Sequence, residues 1–268
     1  MLLRQTALTI LCLPDPVTKA REARALVDWV GDIDSNAVLQ PPPALPGRPA
    51  RPALVAPKEV PSRTPFTVPG RAALLHSVAH IEFNAINLAL DAVWRFGGMP
   101  AAYYRDWARV ASEEATHFTL LTEHLASLGC TYGDHPAHDG LWAMAERTAG
   151  DVTARMALVP RTLEARGLDA TPPMQARLAR AGDARAVAIL DIILRDEIGH
   201  VAIGNHWYRW LCERDGLDPV AHYAVLTERH QAPRLRSPFN TVARLAAGFT
   251  ELEIDALLAS PTLNTDSP

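Results

Sequence analysis

The chain has 268 residues, 48% of them apolar, which is enough to fill the core of one large domain or two small ones. Its net charge of -4 and isoelectric point near 6.2 argue against a generally basic, nucleic-acid-binding protein. The three cysteines, Cys12, Cys130 and Cys212, are far apart and form no Cys-x-x-Cys pair, which argues against a disulfide framework or a zinc knuckle.

The sequence predicts a protein without a membrane partner. No run of residues approaches the roughly eighteen apolar positions that a membrane-spanning helix needs. Residues 1–13 are weakly apolar, but Pro14-Asp15-Pro16 stands where a secretory signal would have a small-residue cleavage site. Because no disulfide pattern is present either, we expect a cytoplasmic location.

Proline dominates the N-terminal segment. Residues 1–70 hold 12 of the 22 prolines, so after a predicted helix over residues 18–29 this segment cannot be regular helix. We expect an extended, polyproline-like arm. The arm is interpreted as a strap over the helical domain, with a partner-binding arm as the alternative. Four apolar side chains are expected to dock the strap: Leu54, Val55, Val60 and Phe66.

Helical periodicity begins after Gly70. It predicts one helix over residues 71–96 and a second over residues 101–128, each ended by glycine. The apolar stripe of the first helix contains Glu82, and that of the second contains Glu114 and His117. A carboxylate in an apolar stripe is costly unless it is paired or binds metal. The opposite face of the first helix is expected to meet solvent or another chain and carries His80, Asn84, Asn87 and Asp91.

A third helix is predicted over residues 151–166, with Asp151 as its N-cap, a kink at Pro160 and Gly167 as its end. Its candidate carboxylate is Glu164. Glu146, in a short predicted helix over residues 141–149, is a rival that lies in phase with it but about 27 Å away along a helix axis. Glu164 is preferred because it lies as far from its helix start as Glu114 does from its own.

The fourth predicted helix runs from just after Asp183 to about Arg214, with Glu197 and His200 in its apolar stripe. Helical fragments follow at residues 221–226 and 251–258, separated by a locally basic stretch at residues 229–236. The expected fold is therefore all-α. It consists of an N-terminal helix and arm (1–70), a four-helix bundle (71–215) and a C-terminal helical extension (216–268).

Two Glu-x-x-His steps suggest a metal site, because residues three apart share one face of a helix. Helical bundles hold two iron or manganese ions with one Glu from each of two helices and a Glu-x-x-His from each of the other two. One such step alone is a common surface or core pair. Two of them on apolar stripes with a third buried Glu favour metal, because buried carboxylates repel one another. The predicted ligands are Glu82, Glu114, His117, Glu164, Glu197 and His200.

Two further carboxylates precede ligand carboxylates. Asp196 and Glu113 could accept the outer N–H of a ligand imidazole, and ordinary helix-face charge is the alternative interpretation. No catalytic residue beyond the metal ligands is assigned. Six other histidines have no ligand spacing, and most of them are expected at the surface or at an interface: His76, His80, His124, His206, His222 and His230.

The ligand series resembles the ferritin-like di-iron carboxylate proteins, and Asp196-Glu197-x-x-His200 resembles the Asp-Glu-x-x-His step of di-iron oxygenases. The segment Leu163-Glu164-Ala165-Arg166 is similar to the third-helix segment of the MiaE-type tRNA hydroxylases, which supports Glu164 over Glu146. Residues 79–82, 159–172 and 196–207 resemble an uncharacterised bacterial ferritin-like family, over residues 70–250. This resemblance implies a four-helix bundle with two iron ions, or with manganese or mixed metals, but implies no substrate.

The leading functional expectation is an oxygenase or hydroxylase that uses O₂, a small organic substrate and an unidentified electron donor. The alternative is a ferroxidase or iron-handling protein, although the long arm and tail are not typical of a storage shell. A binding scaffold without enzymatic activity is a further alternative, and a homodimer is compatible with the sequence. A tRNA substrate is a minor alternative, because only the basic residues 229–236 favour binding to nucleic acid.

Overall fold

The structure is a computed structural model that describes residues 2–40, 42, 44–61 and 64–259. Every regular element in this part of the chain is helical, and the single β-type contact found there is a parallel bridge between Leu54 and Ala137. The prediction of an all-α protein is therefore confirmed. Within the described ranges, none of the helices combines the length and the apolar character needed to cross a membrane.

The chain divides into two compact units. The first consists of Met1–Ala149 and Met174–Ile193, and the second of Gly150–Pro173 and Leu194–Pro268. The first unit contains α1 (Leu3–Leu11), α2 (Pro16–Arg24), α3 (Val68–Arg95), α4 (Ala101–Ser127) and α5 (Gly140–Arg147). The second contains α6 (Val152–Leu158), a π-helical segment (Val159–Glu164), α9 (Pro219–Arg229), α10 (Thr241–Ala246) and α11 (Glu251–Ala259). Residues of α7 (Ala165–Arg180) and α8 (Ala184–Arg214) belong to both units.

Most predicted helices occur close to their predicted positions. The long helices expected at residues 71–96, 101–128 and 184–214 correspond to α3, α4 and α8. Gly129 ends α4 as expected, with a φ of 74° that favours glycine. The predicted helix over residues 18–29 is instead α2 followed by a short 3₁₀ turn, Ala25–Asp28. Neither α1 nor α10 was predicted, since each is too short to show a clear helical period.

The third predicted helix is wrong in its C-terminal boundary. Asp151 does cap α6, because its Oδ1 accepts from the Ala154 N–H at 2.9 Å. Pro160 lacks an N–H, and the helix widens around it into the π-helical segment instead of simply kinking. Gly167 does not take the positive φ of a helix end, so the chain continues as α7 to Arg180.

The first unit is built on α3 and α4, with α1 packed on α3 and α2 packed on α4. This packing overturns the prediction that one face of α3 meets solvent, since His80, Asn84, Asn87 and Asp91 are all buried. Lys19 of α2 donates to Asn87 Oδ1 at 2.6 Å. The prediction failed because α1 was not anticipated, so this face of α3 had no expected partner.

The proline-rich arm belongs to the first unit and contacts the segment between α4 and α5. Val55 donates its N–H to the carbonyl of Ala137 at 2.8 Å, and Arg48 pairs with Asp139 at 2.6 Å. Two of the four predicted docking side chains are largely exposed, Leu54 at 44% and Phe66 at 54%. Among the residues of the arm that the structure describes, the buried side chains are instead prolines, namely Pro46, Pro52 and Pro65. Backbone hydrogen bonds and prolines thus replace the expected apolar anchors, and the strap interpretation stays a prediction.

In the second unit, α8 approaches the π-helical segment closely at Gly204. A Cβ atom at Gly204 would lie 2.6 Å from Pro160 Cβ, so any residue other than glycine would clash here. One residue beyond Pro160, Arg161 donates to Asn205 Oδ1 at 2.8 Å. Gly204 and Asn205 of α8 thus contact two successive residues of the π-helical segment, the segment that ends at Glu164.

A candidate metal site

Two neighbouring helices of the first unit supply three metal-ligand side chains. Glu82 lies in the middle of α3 and is buried, and α4 carries Glu114 and His117, which are fully buried. The two α4 residues share one face because they are three positions apart. The sequence thus places polar groups in the apolar interface that holds α3 and α4 together.

The three side chains are in direct contact. His117 Nδ1 lies 3.1 Å from Glu82 Oε2 and 3.3 Å from Glu114 Oε2, so an N–H at this nitrogen can donate to either carboxylate. Burial, followed by the charge of Glu114, raises the pKa of Glu82 well above its usual range, and His117 opposes this shift. The cause is that two carboxylates share a site with little water. Positive charge placed among them would be strongly favoured.

A buried group of three carboxylates and one imidazole brings together four of the predicted ligands. One ligand atom from each of Glu82, Glu114, His117 and Glu197 lies within 4.8 Å of the others. Such a group could hold a metal ion. Carboxylate oxygens are hard donors, and together with an imidazole nitrogen they suit iron or manganese better than a soft metal. The donor chemistry therefore fits the predicted kind of ion.

The remaining two predicted ligands are not part of this four-residue group. His200 is fully buried on α8, with Nδ1 at 3.8 Å from Glu197 Oε1. Glu164 is half-buried and is the last residue of the π-helical segment. Its rival Glu146 is exposed on α5 and accepts a hydrogen bond from Trp142 Nε1 at 3.0 Å. The assignment of Glu164 and His200 as ligands stays a prediction.

A family model described as "Protein of unknown function (DUF455)" matches residues 12–255, which is most of the chain. The protein belongs to the DUF455 family. An uncharacterized protein of Haemophilus influenzae is 56% identical to this DUF455 chain over 214 residues, covering 77% of the chain and 74% of the relative. No solved structure matches the chain. The predicted membership of an uncharacterised family is thus confirmed, and all six predicted ligands lie within the matched region.

The two carboxylates predicted to support the ligand imidazoles are both half-buried in this DUF455 protein. Asp196 accepts from its neighbour Arg195, with 2.8 Å between Arg195 Nε and Asp196 Oδ1. Glu113 lies on α4 next to Glu114. The pairing of Asp196 or Glu113 with a ligand imidazole stays a prediction.

Three histidines expected at the surface are buried instead, so that prediction was wrong for them. His124 lies with Nε2 2.9 Å from Asp183 Oδ1, and His80 lies with Nδ1 2.9 Å from the hydroxyl of Tyr132. His76 accepts the N–H of Gly133 at 2.8 Å. The prediction treated each helix alone, whereas the turn-rich segment after α4 covers His76 and His80. The i, i+4 spacing of His76 and His80 was the sequence signal for a shared environment.

Proposed function

We propose that this protein is a non-haem di-iron or di-manganese carboxylate protein with a ferritin-like four-helix bundle. The observation that carries the proposal is the buried group of Glu82, Glu114, His117 and Glu197. Three carboxylates buried this close together are unfavourable unless positive charge compensates them. Two divalent metal ions would supply that charge, and the donor types suit iron or manganese.

Glu164 and His200 would complete the ligand set. His200 follows Glu197 by one helical turn, as His117 follows Glu114, so each pair forms a Glu-x-x-His step. Glu164 ends the π-helical segment, and π-helical turns occur frequently at functional sites. One Glu from each of two segments and a Glu-x-x-His from each of two others is the ligand pattern of di-iron bundles.

The most strongly supported activity is that of an oxygenase or hydroxylase acting on a small organic substrate. Bound iron would supply the activation of O₂, with electrons from a separate donor. The protein's part is to hold the ions in a buried, carboxylate-rich environment. A metal ion at His117 Nδ1 requires that nitrogen to be unprotonated, so the ring would carry its proton on Nε2. Because burial and the charge of Glu114 raise the pKa of Glu82, metal uptake should release the proton of that carboxyl.

Oxidation of Fe(II) without an organic substrate is the second candidate, because the same donor set binds Fe(II). The proline-rich arm within the first unit is an addition that a storage protein does not need, and this observation favours the oxygenase. A tRNA substrate is supported only by the basic stretch at residues 229–236 and remains a minor alternative.

An oxygen-uptake assay distinguishes these activities. Anaerobic protein loaded with Fe(II) would be mixed with O₂ at increasing iron-to-protein ratios. An oxygenase should consume O₂ in proportion to about two irons per chain and then stop until a reductant is added. A ferroxidase should continue with each addition of Fe(II) and form mineral. Uptake no faster than in protein-free buffer would contradict both candidates, and a Glu114→Gln variant beside a Glu146→Gln control would locate the reactive iron.

A further inference from the structure

The second unit contains a cavity of about 230 Å³ behind the π-helical segment. Arg161 lies in its wall, and Glu253 and Tyr223 lie beside it. Much of the rest of the lining is apolar: Val220, Ala224, Leu235, Phe249, Ala256 and Leu257. A mostly apolar cavity with a few placed polar groups is the usual form of a small-molecule site.

Arg161 places a buried, positively charged guanidinium in the wall of this cavity. The side chain is only 3% exposed, and the rings of Tyr208, Tyr223 and Phe249 lie 4.7–5.0 Å from its guanidinium carbon. Its Nε donates to Asn205, and its Nη2 donates to Glu253. Within the described part of the chain, Nη1 makes no hydrogen bond. A buried guanidinium therefore keeps one donor nitrogen for a ligand.

Both carboxylate oxygens of the neighbouring Glu253 already accept hydrogen bonds. Glu253 accepts from Arg161 on Oε1, while Oε2 accepts from Arg209 at 2.8 Å and from the N–H and hydroxyl of Thr250 at 2.8 and 3.1 Å. Burial raises the pKa of Glu253, but Arg161, Thr250 and Arg209 outweigh burial and lower it overall. Two guanidinium groups thus face one ionised carboxylate. Arg161 and Glu253 line the cavity and Arg209 does not, so the cavity offers a hydrogen-bond donor beside a three-group cluster with one excess positive charge.

We propose that this cavity binds a small monocarboxylate with a short apolar body, whose carboxylate accepts a hydrogen bond from Arg161 Nη1. The positive balance selects an anion, and the aliphatic and aromatic walls select the apolar body. The cavity volume of about 230 Å³ suits a ligand with a short chain or a single ring. The proposal does not depend on the metal site.

Calorimetric titration of metal-free, full-length protein with hexanoate tests this proposal, with hexanamide as the matched neutral probe. We expect saturable binding of one hexanoate per chain. Binding of hexanamide should be roughly tenfold weaker or more, because its uncharged carbonyl accepts a weaker hydrogen bond from Arg161 than a carboxylate does. Because the samples are treated with chelator and contain no metal, hexanoate binding is measured independently of the proposed metal site. Either hexanoate binding or the oxygen-uptake activity can be found without the other.

Two tryptophan variants on α9 locate the binding site. Ala224 lines the cavity, whereas the adjacent Val225 does not and is 46% exposed. Ala224→Trp should abolish hexanoate binding, and Val225→Trp should leave it within about twofold of the wild-type protein. Arg161→Lys should weaken hexanoate binding, because an ammonium that pairs with Glu253 lacks the second donor nitrogen that Arg161 offers the ligand. Equal affinity for the two probes, no saturable binding of hexanoate, or full retention in Ala224→Trp would each overturn the proposal.

Discussion

Gly204 should be the least replaceable glycine of α8. A Cβ atom at this position would lie 2.6 Å from Pro160 Cβ and 2.7 Å from Pro160 Cγ, about 1 Å or more inside normal carbon contact distance. Overpacking of this kind costs about 1–3 kcal/mol. Alanine also raises helix propensity over glycine by about 0.5–1 kcal/mol, which partly hides the cost. Gly199 on the same helix serves as the reference, since a Cβ there meets no described atom within 4 Å.

The difference between Gly204→Ala and Gly199→Ala isolates the clash, because the propensity gain is common to both variants. We expect Gly199→Ala to be stabilising and Gly204→Ala to be less stable than it by about 2 kcal/mol. Guanidinium denaturation at pH 7 with chelator measures both, and an unchanged slope would show that the denatured state is unaffected. Equal midpoints for the two variants would refute the close approach of Gly204 to Pro160.

Two further predictions concern buried polar groups. Burial lowers the pKa of His76 and the pKa of His80 from 6.5 to about 4. A neighbouring histidine contributes to each shift, His135 for His76 and His76 for His80. Below about pH 6.5 the unfolded chain gains protons that the fold excludes, so stability should fall by about 2 kcal/mol per histidine between pH 7 and 5. His76→Gln should flatten this dependence of the urea midpoint, and the exposed His206→Gln should not. Arg244 is fully buried and donates to Asp169 at 2.6 and 3.0 Å. Arg244→Met should cost about 3–5 kcal/mol in the same assay, and adding Asp169→Leu should restore part of it, whereas an unchanged midpoint would contradict a structural role.

Local pattern was sufficient for the long helices and for the choice of candidate ligands. Glu82, Glu114, His117 and Glu197 could be selected because each interrupts an apolar stripe, and a carboxylate in such a place needs compensation. Their proximity to one another is a tertiary property. It depends on which helix faces meet, and no spacing within one helix determines that.

The errors arise where the outcome depends on a neighbour distant in sequence. The polar face of α3 was assigned to solvent because α1 was not predicted and because the packing of α1 and α2 on α3 and α4 is not visible in the local sequence pattern. Gly167 was interpreted as a helix end, yet the chain there keeps an ordinary helical backbone and continues as α7. The π-helical segment contains Pro160, which lies close to Gly204 of a helix distant in sequence. Neither residue alone predicts it.

The most direct test of the metal-site proposal is anomalous diffraction from crystals of the protein reconstituted with Fe(II), recorded on both sides of the iron absorption edge. We predict two iron peaks among the carboxylate oxygens of Glu82, Glu114 and Glu197 and the Nδ1 atom of His117. Glu164 and His200 should complete the coordination. Absence of iron at this group in fully reconstituted protein, or iron bound only elsewhere, would contradict the proposal.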